Sequence, residues 1–377
     1  MNPILATAAE LEAELITDSL DPADRDAGHR YLAGLTRWAL ERALVGSDPG
    51  YPAFARCMDT VSKWGLENPD NIYRSTRIDA DAVYEITGHR GTTADLAFEL
   101  LTGLAGDDGT TGRPVSALEL DSLEVDADGR YRIQVGGPPT GGNHLPTGDG
   151  ATEVFVRHTF GDWDTERAGD IVISRLSPAG PRAPVAGLLD HGARTLRNQA
   201  GFMAAFADGW RGQVPVNGVT PPQGYQGGGF MPGQYNAVGQ FAVSPAEALI
   251  FRFEPVPCRY WSFGVGHHRW FVSFDYRTRH CHLNGTQLRT SADGAAYVVL
   301  SASDPGVPNW LDVDPRGFIF LRWQGVRDTE PARPSSTVIP LAEVRDHLPP
   351  GEPHITPGQR ARTIAERRAA VERRFHG

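Results

Sequence analysis

The chain has 377 residues, enough for two hydrophobic cores rather than one. Its 40% hydrophobic and 22% charged residues are those of an ordinary globular protein, while 43 glycines and 29 prolines favour many short strands joined by turns over a helical bundle. A net charge of −10 gives no chain-wide basic field, and no window approaches about 18 uninterrupted apolar residues, so neither a nucleic-acid partner nor a membrane partner is expected.

Residues 5–46 read as a helix broken near Asp21-Pro22. Leu5, Leu11, Leu15, Ile16, Tyr31, Leu32, Leu35, Trp38 and Leu40 recur at three- and four-residue spacing, and Asp21 supplies an N-cap with proline in the first helical position. The N-terminal stretch lacks a basic segment followed by a continuous apolar run, so no signal peptide is expected. Cys57, Cys258 and Cys281 are too few and too odd in number for a disulfide framework and suit reduced thiols in a cytoplasmic protein.

From Asn71 the period changes to two. Segments 71–79, 83–88, 118–125, 131–135, 153–160 and 171–175 read as strands, punctuated by turn chemistry at Asp107-Asp108-Gly109, Asp128-Gly129 and 136–142. A second helical block spans about 184–211, and the Gly/Pro-rich stretch to residue 235 is too irregular for regular structure, which makes it a linker or a loop over a cleft. Strands resume at 240–243, 248–253, 260–265, 270–276, 297–301 and 318–323. The tail is Pro-rich and then helical at 357–375, its six arginines flanking Ile364, Val371 and Phe375 as a solvated face would.

The two strand-rich regions share landmarks. Asp128-Gly129, a strand, Asn143 and Phe155-x-Arg157 in the first match Asp293-Gly294, a strand, Asn309 and Phe320-x-Arg322 in the second. Turn Asp and Asn lie 15 and 16 residues apart, and Asn and Arg 14 and 13. The expected fold is therefore mainly β: two tandem jelly-roll-like antiparallel β-sandwiches with N-terminal, central and C-terminal helices. Expected boundaries are a helical segment 1–64, a first sandwich 65–180, a helical block and Gly/Pro-rich loop 181–235, a second sandwich 236–327, and a tail 328–377.

The runs RYWSFGV, FDYR, ADG, DPGVPNWLD and GFIFLRW resemble the C-terminal signature of the DUF1214 family, and DNIYRSTRIDADAVYEITGHRG and VRHTFGDWDTE resemble its longer actinobacterial members. The resemblance spans about residues 65–327 and implies a double-jelly-roll fold of the DUF1254/DUF1214 kind. It implies no particular reaction.

The chemistry must come from the residues. His280 and His282 would share a face of a strand as in metal-binding cupins, but the window where a cupin places its glutamate holds Thr286, Gln287 and Leu288, so no metal and no other cofactor is expected. No nucleophile elbow, P-loop or dinucleotide fingerprint is present. What remains is a set of carboxylates, arginines, amides and aromatics. Asp275, Asp312, Arg277 and Arg322 are the candidate catalytic groups, and Tyr276, Asn284, Asn309, Trp310 and Trp323 the candidate substrate contacts. Paired carboxylates with indole platforms suit a metal-independent hydrolase or lyase acting on a glycoside-like or other polyhydroxylated small molecule. The alternative is a non-catalytic ligand-binding or structural protein, and in either case a homo-oligomer is expected. Each member also has a bland reading, Trp310 as core, Asn309 as a bond to loop backbone, and Arg322 or Arg157 as the partner of a buried acid.

Overall fold

Two runs of strands build two units of the same plan. The computed structural model describes residues 1–104, 106–107, 112–148, 150–224 and 234–376. The helices are α1 (Pro3–Leu15), α2 (Pro22–Glu41), α3 (Val185–Gln213) and α4 (Pro357–His376). The first unit contains β1 (Ala55–Arg56), β2 (Asn71–Arg77), β3 (Tyr84–His89), β4 (Asp95–Leu101), β5 (Pro114–Glu119), β6 (Arg130–Val135), β7 (Asn143–Leu145), β8 (Glu153–Thr159) and β9 (Ile171–Arg175). The second contains β10 (Gly218–Val219), β11 (Gln223–Gly224), β12 (Tyr235–Ala242), β13 (Glu247–Phe253), β14 (Cys258–His267), β15 (His282–Asn284), β16 (Ala296–Ser301), β17 (Trp310–Asp312), β18 (Arg316–Val326) and β19 (Ser335–Pro340).

Each unit is a pair of sheets. In the first, a front sheet ordered β1-β2-β8-β4-β5 lies over a back sheet β7-β6-β3-β9; in the second, β10-β12-β18-β14-β15 lies over β17-β16-β13-β19. Adding ten to the number of each strand from β2 to β9 turns one plan into the other. Leu96, Phe98, Val154 and Val156 meet Tyr84, Ile86, Ile133 and Val135 in the first core. Phe241, Phe263, Ile319 and Leu321 meet Leu249, Phe251, Val298 and Leu300 in the second.

Matched Asn residues hold matched loops. Asn143 donates from Nδ2 to the carbonyls of Glu124 (2.7 Å) and Arg132 (3.1 Å) and accepts from Glu124 N. Asn309 donates to Arg289 (2.7 Å) and Tyr297 (3.0 Å) and accepts from Arg289 N. Asn143→Ala and Asn309→Ala should therefore each lose about 1–3 kcal/mol, the cost of stranding buried backbone groups, and by similar amounts. Urea midpoints of the two variants check this, and a neutral result at either position would break the correspondence.

Several sequence expectations need correction. The units are not wholly antiparallel, because β6 pairs β7 and β16 pairs β17 in parallel beyond those Asn loops. Strand β4, absent from the strands read in the sequence, is buried on both faces and shows no alternation. Segment 118–125 leaves its strand at Glu119 and continues as a short turn of helix, Leu120–Ser122. Residues 270–276 form no strand. Phe271 instead adopts a positive φ of 52° and inserts against Phe206 and Trp210 of α3. The tail contributes β19, which pairs β13. Helix α4 is not merely solvated, since Arg360, Arg367 and Arg374, one per seven residues, lie over Trp310, Trp163 and Phe160.

Helices α1, α2 and α3 cover the front sheets. Their apolar residues share one cluster with Tyr73 and Phe155 of the first unit and Phe318 and Phe320 of the second. Asp21 caps α2 as the sequence indicates, accepting from Asp24 N at 2.8 Å. Among the described residues no helix is long and apolar enough to cross a membrane.

Candidate functional site

The candidate site follows from strand alternation. Along β8, Val154 and Val156 enter the sandwich core while Phe155 faces the helical cluster; along β18, Ile319, Leu321 and Trp323 enter the core while Phe318 and Phe320 face the helices. Arg157 and Arg322 continue those outward rows. Both line a cavity of about 120 Å³ whose walls are Tyr73 and Phe155 from the first unit, Phe320 from the second, Phe202, Met203, Phe206 and Trp210 from α3, and Trp64, Leu66 and Glu67 from the loop before β2.

The two arginines are equivalent in position and unequal in environment. Arg157 is ion-paired with Glu99 and lies 4.6 Å from the centre of the Phe155 ring. Burial pushes the Glu99 carboxyl up, and Arg157 opposes that rise. Arg322 is 7% exposed, donates from Nη2 to the Leu66 carbonyl at 2.6 Å and stacks 3.7 Å over Phe320. Among the described residues it makes no ion pair. Burial pulls its guanidinium below the ordinary range, with Tyr73, Tyr260, Glu67 and Asp70 acting in the other direction. Glu67 is committed elsewhere, accepting from Ser273 N at 3.1 Å and lying 3.6 Å from Lys63. Burial raises its carboxyl and Lys63 opposes this.

Of the nine candidate catalytic and substrate-contact residues named from the sequence, only Arg322 lines this cavity. Asp275 pairs with Arg277 at 3.0 Å within one turn, and Asp312 pairs at 2.8 Å with Arg279, which it shares with Asp314, so the two carboxylates are engaged by separate arginines. Tyr276 is buried beneath Lys63, with the ammonium 4.4 Å from the ring centre. Asn309 holds its loop, Trp310 donates to the Ser301 carbonyl at 3.1 Å, and Trp323 lies in the second core opposite Trp261. Asn284 donates at 3.0 Å to Asp70, a buried acid with no signal in its own neighbourhood. Of the Gly/Pro-rich stretch expected to be irregular, 225–233 lies outside the described residues, and the part before it is not irregular throughout, since β10 and β11 pair β12. Glu67 and Glu99 were likewise invisible in sequence, one in a loop and the other in the strand that shows no alternation.

His280 and His282 serve different partners, the Trp310 carbonyl and Asp70. The described residues do bring Asp24, His267 and His268 together. However, His267 Nδ1 accepts from Arg269 N (3.2 Å) and Trp270 N (3.4 Å), which puts the ring proton on Nε2, the atom facing Asp24 at 3.4 Å. Arg316 also approaches Asp24 to 3.8 Å. Burial lowers both imidazoles, so Asp24 is shared by a neutral His267 N–H and the Arg316 guanidinium, and the Nε2 proton stands where a ligand lone pair would be needed.

The architecture is that of a mainly β protein of two like units with a cavity under a helical cover. A solved structure of an uncharacterized protein from Burkholderia cenocepacia is 30% identical to this chain, with a TM-score of 0.79 over 90% of this chain and 95% of that one. The chain belongs to the same family as that protein. A structure from Vibrio parahaemolyticus is 11% identical, with a TM-score of 0.43 over 73% of this chain and 90% of that one. No family model and no curated protein matches the chain.

Proposed function

We propose that the protein binds a small, largely apolar molecule in the cavity between the front sheets and α3. The observation that carries this is the contrast within one cavity, where aromatic rings from β2, β8, β18 and α3 surround the buried Arg322. Small-molecule sites have this composition, mostly apolar with a few placed polar groups. The reading includes tandem jelly-roll-like units and the DUF1214 resemblance, supported by eight matched strands and the matched Asn and Phe-x-Arg landmarks.

The hydrolase or lyase reading ranks second. Its paired carboxylates, Asp275 and Asp312, are each tied to a separate arginine and neither lines the cavity. A binding role needs only the geometry described.

The test is calorimetric titration with a panel of small apolar molecules, charged and neutral, against the full chain and Met203→Trp, which fills the cavity from α3. A ligand at one hundred times its Kd should stabilise the chain by about 2.7 kcal/mol, and Met203→Trp should abolish that gain. Undiminished binding by the filled variant would move the site elsewhere.

A further inference from the structure

We infer that the ligand is an anion, specifically a small carboxylate with an aromatic or short aliphatic body, whose charged end pairs with Arg322. This rests on the reading of the cavity as a ligand site and adds the chemical class.

The argument is a comparison of the two units position by position. On the first front sheet Glu99 lies directly opposite Phe155, and its carboxylate neutralises Arg157 two residues further along the neighbouring strand. On the second front sheet the place opposite Phe320 is Gly264. The acid that neutralises the first arginine therefore has no counterpart for the second. The next strand shows what replaces it. Glu99 is flanked by Ala117 on β5, whereas Gly264 is flanked by His282 on β15. A Cβ added at Gly264 would meet His282 Nδ1 at 3.2 Å. A large acid beside a small residue has become no side chain beside an imidazole, and that imidazole is engaged at its other nitrogen by Asp70.

Among the described residues, Arg322 thus keeps its charge in a mostly apolar cavity with one backbone carbonyl as its hydrogen-bond partner. A buried cation left this way is costly, and the cost falls when a counter-charge arrives. The planar guanidinium fits a carboxylate through two parallel N–H···O bonds, which fixes the ligand's direction as well as its charge. The rings of Phe202, Phe206 and Trp210 then face the body of the ligand. A cavity of about 120 Å³ is close to the roughly 150 Å³ that accepts a benzene ring, which suits a body of one ring or a short chain.

The experiment compares acids with neutral amides of the same shape, benzoate with benzamide and hexanoate with hexanamide, by titration calorimetry on the full chain at pH 7. The acids should bind at least about tenfold more tightly. Arg322→Gln should abolish that preference while leaving amide binding in place, and Arg322→Lys should retain part of it, which covers the case in which the Gln variant does not fold. Equal binding of acid and amide by the native chain would overturn the anion assignment and leave the cavity reading standing. Failure of all four probes to bind would overturn both.

Discussion

Asp70→Ala is expected to cost about 3–5 kcal/mol of unfolding free energy, the range for removing one member of a buried charged network. Asp70 is fully buried in the loop before β2 and collects donors from both units. Oδ1 accepts from Trp163 Nε1 at 2.5 Å and Asn284 Nδ2 at 3.0 Å, and Oδ2 from His282 Nε2 at 2.7 Å and the Tyr260 hydroxyl. Tyr260, His282 and Asn284 lie on β14 and β15 of the second unit, so this carboxylate fastens one front sheet to the chain that begins the other. Alanine would strand four buried donors at once. Urea denaturation gives the number, and a loss below about 0.5 kcal/mol would show that the network does not hold the units together.

The same cluster predicts a direction with pH. Burial lowers the His282 imidazole against the opposing pull of Asp70, and burial with Arg74 brings His158 down to about 3. Below about pH 6.5 the unfolded histidines take up protons that the folded ones refuse, so the unfolded state binds more protons and stability falls as pH falls. Asp70 adds to this at lower pH. Burial acts to raise its carboxyl, but His282, Tyr260 and Arg374 outweigh that and hold it below the usual range. Its contribution is present above the unfolded value near 3.9 and is lost as pH falls through the folded one.

Much of the fold was legible because it rests on local rules. The Asp21-Pro22 cap, the repeated Asn and Phe-x-Arg landmarks and the alternating strands other than 118–125 and 270–276 sit where the sequence puts them. Strand β4 was not legible because alternation requires one wet face, and its second face is covered by Arg259 of β14, by Arg157 and, at Leu101, by the helical cluster. Asp95 and Glu99 break its apolar run only to meet Arg259 and Arg157 in three dimensions. The site was half legible for a related reason. Arg322 belongs to a repeated motif, whereas what distinguishes it from Arg157 is a glycine on a neighbouring strand. Asp70 and His282 are 212 residues apart, and no spacing rule connects them.

Arg42→Met is expected to be comparably destabilising, by about 3–5 kcal/mol at pH 7.5. Arg42 follows α2 and is 2% exposed, with Nη1 and Nη2 donating to the two oxygens of Glu153 on β8 at 2.7 and 3.1 Å. Nη2 also reaches Asp107 at 2.8 Å, which in turn accepts from Thr195 of α3 at 2.8 Å, so one guanidinium ties two helices to the first front sheet. Removing it leaves the Glu153 carboxylate buried, and burial already pushes that carboxyl up while Arg42 opposes the rise. In the variant the folded Glu153 therefore binds a proton more readily than the unfolded chain does. Across that window the variant gains stability as pH falls, and its deficit against the native chain should narrow between pH 7.5 and 5.5. Arg42→Met combined with Glu153→Leu should recover part of the loss, because the second change removes the stranded charge while Thr195 still holds Asp107. Denaturant titrations of the single and double variants at both pH values decide the matter. A deficit independent of pH, or a double variant worse than the single, would mean that Arg42 acts through packing on Trp38, 6.0 Å from its guanidinium, rather than through charge.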